Sequence, residues 1–136
     1  MALRSGIDIV EIHRLDEINP AIRARFINRV FTLAEQALAR GRTESLSGRF
    51  AAKEAVSKAL GTGIGRVRWQ DIEILRGPAG EPVLQLHGLA REVAAQLGLI
   101  EWSVSISHGR SHAVAVAVAL GPSQGVAPQS EDLIAQ

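Results

Sequence analysis

Glu54 and Lys58 are the residues of this sequence best placed to do chemistry, because positions four apart on a helix are stacked neighbours. They belong to Phe50-Ala-Ala-Lys-Glu-Ala-Val-Ser-Lys-Ala-Leu-Gly-Thr-Gly63, an Ala-rich stretch that runs into Gly61-Thr-Gly-Ile-Gly65. Ala52, Ala55, Val56, Ala59 and Leu60 fall on the other side and can face a core. A carboxylate, an ammonium and flexible backbone amides in one place suit a hard metal ion together with a phosphate ester. Taken singly, each signal is weak. Glu54 paired with Lys58 or Lys53 is an ordinary surface pair of about 0.3–0.5 kcal/mol, and the glycines are a helix cap and turn. The loop is not a P-loop: it follows a helix and lacks the Gly-Lys-Ser/Thr ending.

A second carboxylate strengthens the reading. Asp8 interrupts the apolar run Ile7-Asp8-Ile9-Val10, where a buried, unpartnered charge is costly. Alone, it is a solvent-facing residue of an edge strand. With Glu54 and Lys58 it points to a Mg²⁺ site, which one or two carboxylates can hold while water and substrate phosphates complete it. His108, in Ser105-Ile-Ser-His-Gly109, sits at the tip of a strand, where functional groups often lie. A lone histidine there is more often a surface residue. His13, His87 and His112 show no metal-ligand spacing, and no Gly-x-Ser-x-Gly elbow supports a serine triad.

The elements that must position these groups can be read along the chain. Residues 4–12 alternate around Ile7, Ile9 and Val10 as a first strand, with Asp8 opposite its neighbours. Asn19-Pro20 opens a helix with Ile22, Phe26 and Val30 on one stripe. Thr32-Leu-Ala-Glu35 is a capping box for a second helix ending at Gly41. The Glu54 helix spans about residues 44–60. A strand over 67–75, with Trp69 and Ile72 or Ile74 as anchors, turns at Gly77-Pro-Ala-Gly-Glu-Pro82 and returns over 83–87. A short amphipathic helix covers 89–97. Residues 102–108 then alternate with their serines on one face, and 113–120 alternate Ala and Val. Helices grouped between strands predict an α+β domain, a mainly antiparallel sheet packed on helices, over residues 1–120. Residues 121–136 are polar and read as a loose tail.

Composition narrows the classes. The 136 residues, 46% hydrophobic and 21% charged, suffice for one domain with one core. There is no cysteine, which removes disulfides, thiolate metal sites and cysteine nucleophiles and fits a reducing cytoplasm. No apolar run is long enough to span a bilayer, and residues 1–10 lack a signal-peptide pattern. A cytoplasmic location is expected, with neither membrane insertion nor nucleic acid as a partner. The net charge of +1 is uninformative, but residues 20–42 hold Arg23, Arg25, Arg29, Arg40 and Arg42 against Glu35 alone. That basic surface is either a solvated face or a landing site for an acidic partner.

Three blocks, in order, resemble a known family. They are Gly6-Ile-Asp-Ile-Val-Glu-Ile12, then Gly48-Arg-Phe-Ala-Ala-Lys-Glu-Ala-Val-Ser-Lys-Ala-Leu-Gly-Thr-Gly-Ile-Gly65, then Val104-Ser-Ile-Ser-His108 with Ala113-Val-Ala-Val-Ala117. Trp69-Gln-Asp-Ile-Glu-Ile74 and Gly80-Glu-Pro82 agree as well. Over residues 4–120 the chain is similar to the small bacterial 4′-phosphopantetheinyl transferases of the holo-[acyl-carrier-protein] synthase type. The second block is the specific one.

The resemblance implies a reaction in which coenzyme A, as co-substrate, gives its 4′-phosphopantetheine arm to a serine of apo acyl carrier protein and releases adenosine 3′,5′-bisphosphate. It implies Asp8 and Glu54 as Mg²⁺ ligands and Lys58 as a cation on the same phosphates. It implies Arg49, Phe50, Gly63, Pro82, Ser107 and His108 around the coenzyme. The acceptor of the serine proton stays open among Glu54, a metal-bound water and His108. It also implies that the first long helix docks on an acidic carrier helix through Arg14, Arg25, Phe26 and Arg29, and that the enzyme is a homotrimer with active sites between subunits. The alanine face of residues 113–119 suits close subunit contact, or equally a helix of the same chain. The family often has an aromatic residue where His112 stands. Two other functions use the same residues: a non-catalytic oligomer that binds nucleotide or carrier protein, and a metal-dependent pyrophosphate hydrolase.

Overall fold

The computed structural model describes residues 1–122. Strand β1 (Ala2–Glu11) leads into a single helical turn, α1 (Arg14–Glu17), then helices α2 (Pro20–Val30), α3 (Leu33–Ala39) and α4 (Thr43–Leu60). A 3₁₀ turn (Trp69–Asp71) precedes the hairpin β2 (Ile72–Arg76) and β3 (Pro82–Leu86). Helix α5 (Gly88–Gln96) and strands β4 (Glu101–His108) and β5 (His112–Gly121) complete the chain. All pairings of these strands are antiparallel: a three-stranded sheet in the order β1-β5-β4, and the separate β2-β3 hairpin. The fold is the α+β arrangement expected.

Local chemistry sets the helix ends. Asn19 accepts from the Ala21 amide before Pro20, and Thr32 with Glu35 forms a complete capping box. Helix α3 ends one residue before the expected glycine, on Arg40 in the left-handed region (φ 52°). Helix α4 closes on Gly61, whose φ of 78° suits glycine.

Helix α4 lies across the three-stranded sheet because the surface beneath it is small. Ala113, Ala115, Ala117 and Ala119 of β5 are fully buried, as are Ala51, Ala52, Ala55 and Ala59 of the helix. On β1, Gly6 abuts the Ala55 carbonyl and the Ala59 amide so tightly that a methyl group there would overlap backbone. The alanine face therefore serves the chain's own helix, and the alternative of direct subunit contact through it is excluded. Val67, Ile72, Ile74, Ala90, Val93 and Leu99 extend this core, and a second one (Leu15, Val30, Phe31, Ala39, Leu46) lies beneath α1–α3.

Several expectations change. First, the apolar side of β1 is not its inner side: Ile7 and Ile9 are 60% and 62% exposed, while Asp8 faces α4 with Gly6. Close helix approach leaves no room for isoleucine on that face. Second, the strand read over 67–75 begins only at Ile72. Val67 instead bridges to Ile64, and the Asp71 carboxylate accepts from the Arg68 amide, which curls residues 68–71 into a turn. Third, Ile22 on α2 is half exposed, so only Phe26 and Val30 of its stripe turn inward. The expected tail does not start at 121, since Gly121 still pairs with Ala2; the rest of that expectation, residues 123–136, lies outside the described residues.

Candidate active site

Helix α4 crosses β1 with its C-terminal half, and this crossing assembles the first cluster. The Lys58 ammonium donates to the Asp8 carboxylate at 3.1 Å and to the Ile7 carbonyl at 2.9 Å. Glu54, one turn earlier on the same face, is half-buried. Burial, and then the Asp8 charge, push the Glu54 carboxyl up, against the pull of Lys58. Two carboxylates thus lie close enough to repel, with one cation already drawn to them. Among the described residues no three histidine or acidic side chains converge. Two hard oxygen donors with positions left for water and phosphate are a set that fits Mg²⁺.

A second cluster forms at the N-terminal half of α4. Arg49, Pro82 and His108 line a cavity of about 340 Å³ with Arg42, Glu44, Arg76 and Ile106 among its other walls. Three guanidiniums against one carboxylate give it a basic lining, suited to anions. Arg49 is held by donation to the Ile74 carbonyl at 3.0 Å and to Ser45. Burial, then repulsion by Arg76, pushes its pKa down. The sequence reading missed Arg42, Glu44 and Arg76. The hairpin turn carried a signal for Arg76, because strand pairing sets it directly opposite Pro82.

The remaining candidates divide between other places. Ser107 points to the exposed face of β4 with Ser103 and Ser105, opposite to its neighbour His108. Gly63 (φ 64°) lies in the turn after α4, its amide donating to the Ser57 carbonyl. Phe50 does not join Arg49. It stacks on Trp69 with ring centres 4.9 Å apart and meets Phe26 at 5.6 Å. Phe50, Phe26, Arg14 and His112 instead share a largely apolar cavity of about 550 Å³ beside α2. Arg25 and Arg29 are exposed on α2, so the aromatic cavity and the basic face are neighbours.

The two clusters are separate within one chain. Register places Asp8 opposite Ala115 and Ala115 opposite Ile106, so Asp8 on β1 and the β4 wall of the cavity are two strand spacings apart, roughly 10 Å. The cavity lining includes none of Asp8, Glu54 or Lys58.

Between α3, α4 and β2 lies a third polar cluster that the sequence reading missed. Lys53 and Glu35, both fully buried, form an ion pair at 2.8 Å. Burial pushes the Lys53 ammonium down, with Glu35 opposing. Nearby, Thr32 donates to Glu73 at 2.6 Å and His87 sits 3.0 Å from the other Glu73 oxygen. Burial would raise the Glu73 carboxyl, but these partners and the Lys53 charge hold it below the usual range.

Residues 4–117 match the family model of the 4′-phosphopantetheinyl transferase superfamily. The chain is 54% identical over 119 residues to the holo-[acyl-carrier-protein] synthase of Moorella thermoacetica, covering 85% of this chain and 92% of that one. It is 46% identical over 121 residues to the synthase of Natranaerobius thermophilus, covering 87% and 97%. The fold is similar to the crystal structure of Helicobacter pylori holo-[acyl-carrier-protein] synthase in complex with coenzyme A (TM-score 0.77, 35% identity, 85% of this chain and 99% of that one). It is likewise similar to the Bacillus anthracis synthase in complex with CoA (3′,5′-ADP) (TM-score 0.72, 36% identity, 90% and 100%). With this match across the sequence, and two basic or acidic clusters suited to a phosphorylated substrate, the chain belongs to the 4′-phosphopantetheinyl transferase superfamily and, within it, to the holo-[acyl-carrier-protein] synthases.

Proposed function

We propose that this enzyme moves the 4′-phosphopantetheine arm of coenzyme A onto a serine of apo acyl carrier protein and releases adenosine 3′,5′-bisphosphate. The serine oxygen bonds to the phosphorus that bears the pantetheine, the bridging P–O bond of the pyrophosphate breaks, and the leaving oxygen stays on the nucleotide. The serine proton passes to Glu54 or to His108. One observation carries the reading most: Asp8, Glu54 and Lys58 gather two carboxylates and an ammonium on one patch, within the sequence block shared with the synthases. Asp8 and Glu54 would hold Mg²⁺, which when bound neutralises charge on the pyrophosphate. Lys58 contributes a point charge to the same phosphates. Arg49, Arg42, Arg76 and His108 suit the nucleotide end, with its separate 3′-phosphate.

The proposed working form is a homotrimer whose active sites lie between subunits. Two observations support it. The phosphate-directed cluster and the basic cavity sit apart in one chain, an arrangement that suits a site completed by a neighbouring copy. The outer face of β1 and β5 also exposes Leu3, Ile7, Ile9 and Val118, an apolar stretch unusual for a monomer. The carrier docks on α1 and α2, through Arg14 of the first and Arg25, Phe26 and Arg29 of the second. No helix among the described residues is long and apolar enough to cross a membrane.

The test is intact mass spectrometry of apo acyl carrier protein incubated with this enzyme, coenzyme A and Mg²⁺. A gain of one phosphopantetheine, abolished by EDTA, is the expected result. Release of nucleotide with no change in carrier mass would replace transfer by hydrolysis.

A further inference from the structure

Strand β2 has β3 on one side and no strand on the other. An open edge of this kind leaves backbone groups to be satisfied, and here three side chains satisfy them in order along the strand. The Lys53 ammonium donates to the Ile72 carbonyl, and also to the Trp69 carbonyl at 3.0 Å. The Glu35 carboxylate accepts from the Ile74 amide at 2.9 Å, and its other oxygen accepts from the Thr32 amide at 2.9 Å. Arg49 donates to the Ile74 carbonyl at 3.0 Å. Lys53 and Arg49 lie four apart on α4, so one face of that helix substitutes for the missing strand. The 2.8 Å contact between Lys53 and Glu35 ties the ladder together.

We propose that the buried Glu35–Lys53 pair is a positioning device for the anion-binding cavity, setting the gap between Arg49 on α4 and the β2–β3 hairpin. Two of the cavity's walls are these: Ser45, Gly48 and Arg49 on the helix, and Ile74, Leu75, Arg76 and Pro82 on the hairpin, with Ile106 and His108 of β4 closing it. A buried ion pair is weak evidence for stability, since a well-packed apolar pair can replace it at no loss. An apolar pair cannot grip an amide and a carbonyl in fixed register. The pair therefore controls where Arg49 and Arg76 stand relative to each other, without touching the coenzyme. The inference rests on the reading of the cavity as the coenzyme site.

The experiment uses the full chain with Glu35→Leu and Lys53→Met combined. Thermal melting monitors the fold, and calorimetry measures binding of coenzyme A and, separately, of apo acyl carrier protein. Coenzyme A binding is expected to weaken tenfold or more while carrier binding stays within twofold. General loosening of the fold would weaken both together. A coenzyme A change under fivefold, or a parallel loss of both ligands, overturns the proposal. Should the double variant not fold, Lys53→Arg decides by the same criterion, since it keeps the charge but replaces a compact ammonium by a planar fork. A wild-type chain that fails to bind coenzyme A overturns the reading of the cavity instead, a result visible before any variant is made.

Discussion

The Lys58 ammonium stands 3.1 Å from the Asp8 carboxylate, although fifty residues separate them in sequence. The contact spans the crossing of α4 over β1, and it places a cation where two carboxylates, those of Asp8 and Glu54, would otherwise repel. Glu54 is the group that responds. Its carboxyl holds its proton above the ordinary 4.5 because of burial and the Asp8 charge. If Glu54 is a Mg²⁺ ligand as proposed, ligation requires its carboxylate, so metal binding to the free enzyme should release a proton and strengthen as pH rises through the Glu54 value. Carboxyl titration by carbon NMR checks this: Mg²⁺ lowers the Glu54 midpoint, and Lys58→Ala raises it in the metal-free protein. A Glu54 midpoint below 4.5 without metal would refute the description of the site.

Replacing either carboxylate should cost activity without cost to the fold. Asp8→Asn and Glu54→Gln are each expected to reduce carrier modification on the order of 10²–10³-fold, with melting temperatures close to wild type because both groups sit at the edge of the core. Full turnover by either variant at saturating Mg²⁺ would remove that residue from the metal site.

Reversing charge on α2 separates the two substrates. Arg25→Glu combined with Arg29→Glu should raise the KM for carrier protein on the order of tenfold or more and flatten its salt dependence, since exposed charges act mainly through screened steering. Binding of coenzyme A, measured by calorimetry, should not change. An unaltered carrier KM would sink the docking role of this helix.

Gly6→Ala is the smallest substitution expected to disturb the whole fold. Its methyl group would overlap the Ala55 carbonyl, and backbone cannot rotate away as a side chain can. A loss of about 1–3 kcal/mol or more in urea unfolding is expected. A wild-type midpoint would mean that α4 lies further from β1 than described.

Glu73 links stability to acid. Its folded pKa is depressed, so the stability it supplies is complete above the unfolded value near 4.5 and disappears as pH falls through the folded one. Melting temperatures of Glu73→Gln and wild type should therefore differ at neutral pH and converge in acid. A constant gap across that range would assign the effect to packing.

Much of this was legible in the sequence because it rests on local rules. The capping box at Thr32, the Asn19-Pro20 start, the hairpin at 77–82 and the alternation of 113–120 each follow from a few neighbouring residues. The placing of Glu54 and Lys58 on one helix face follows from helical period. What escaped depends on contacts distant in sequence. Periodicity could not say which face of β1 is inside, because Gly6 and the alanines beneath α4 reverse the usual rule that isoleucine is buried. Lys53 looked like one more surface charge, since its partner lies in another helix and its acceptors on a strand edge. Arg42 and Arg76 join the cavity only after α4 and the hairpin pack together. Phe50 follows Arg49 in sequence yet faces a different cavity, because one step along a helix turns a side chain by about 100°.

The alternation of alanine and valine along β5 acts as a key for folding. Shifting the pairing of this strand by one residue would exchange its faces, placing Val114, Val116 and Val118 under α4, where only alanine fits. A slipped hairpin between β4 and β5 can close its hydrogen bonds, but it cannot receive the helix. Mispaired sheets are thereby rejected by volume at the docking of α4, the same event that brings Glu54 and Lys58 to Asp8. The Asp8–Glu54–Lys58 cluster and correct register are consequently gained in one step, and a misregistered chain would lack that cluster along with its core.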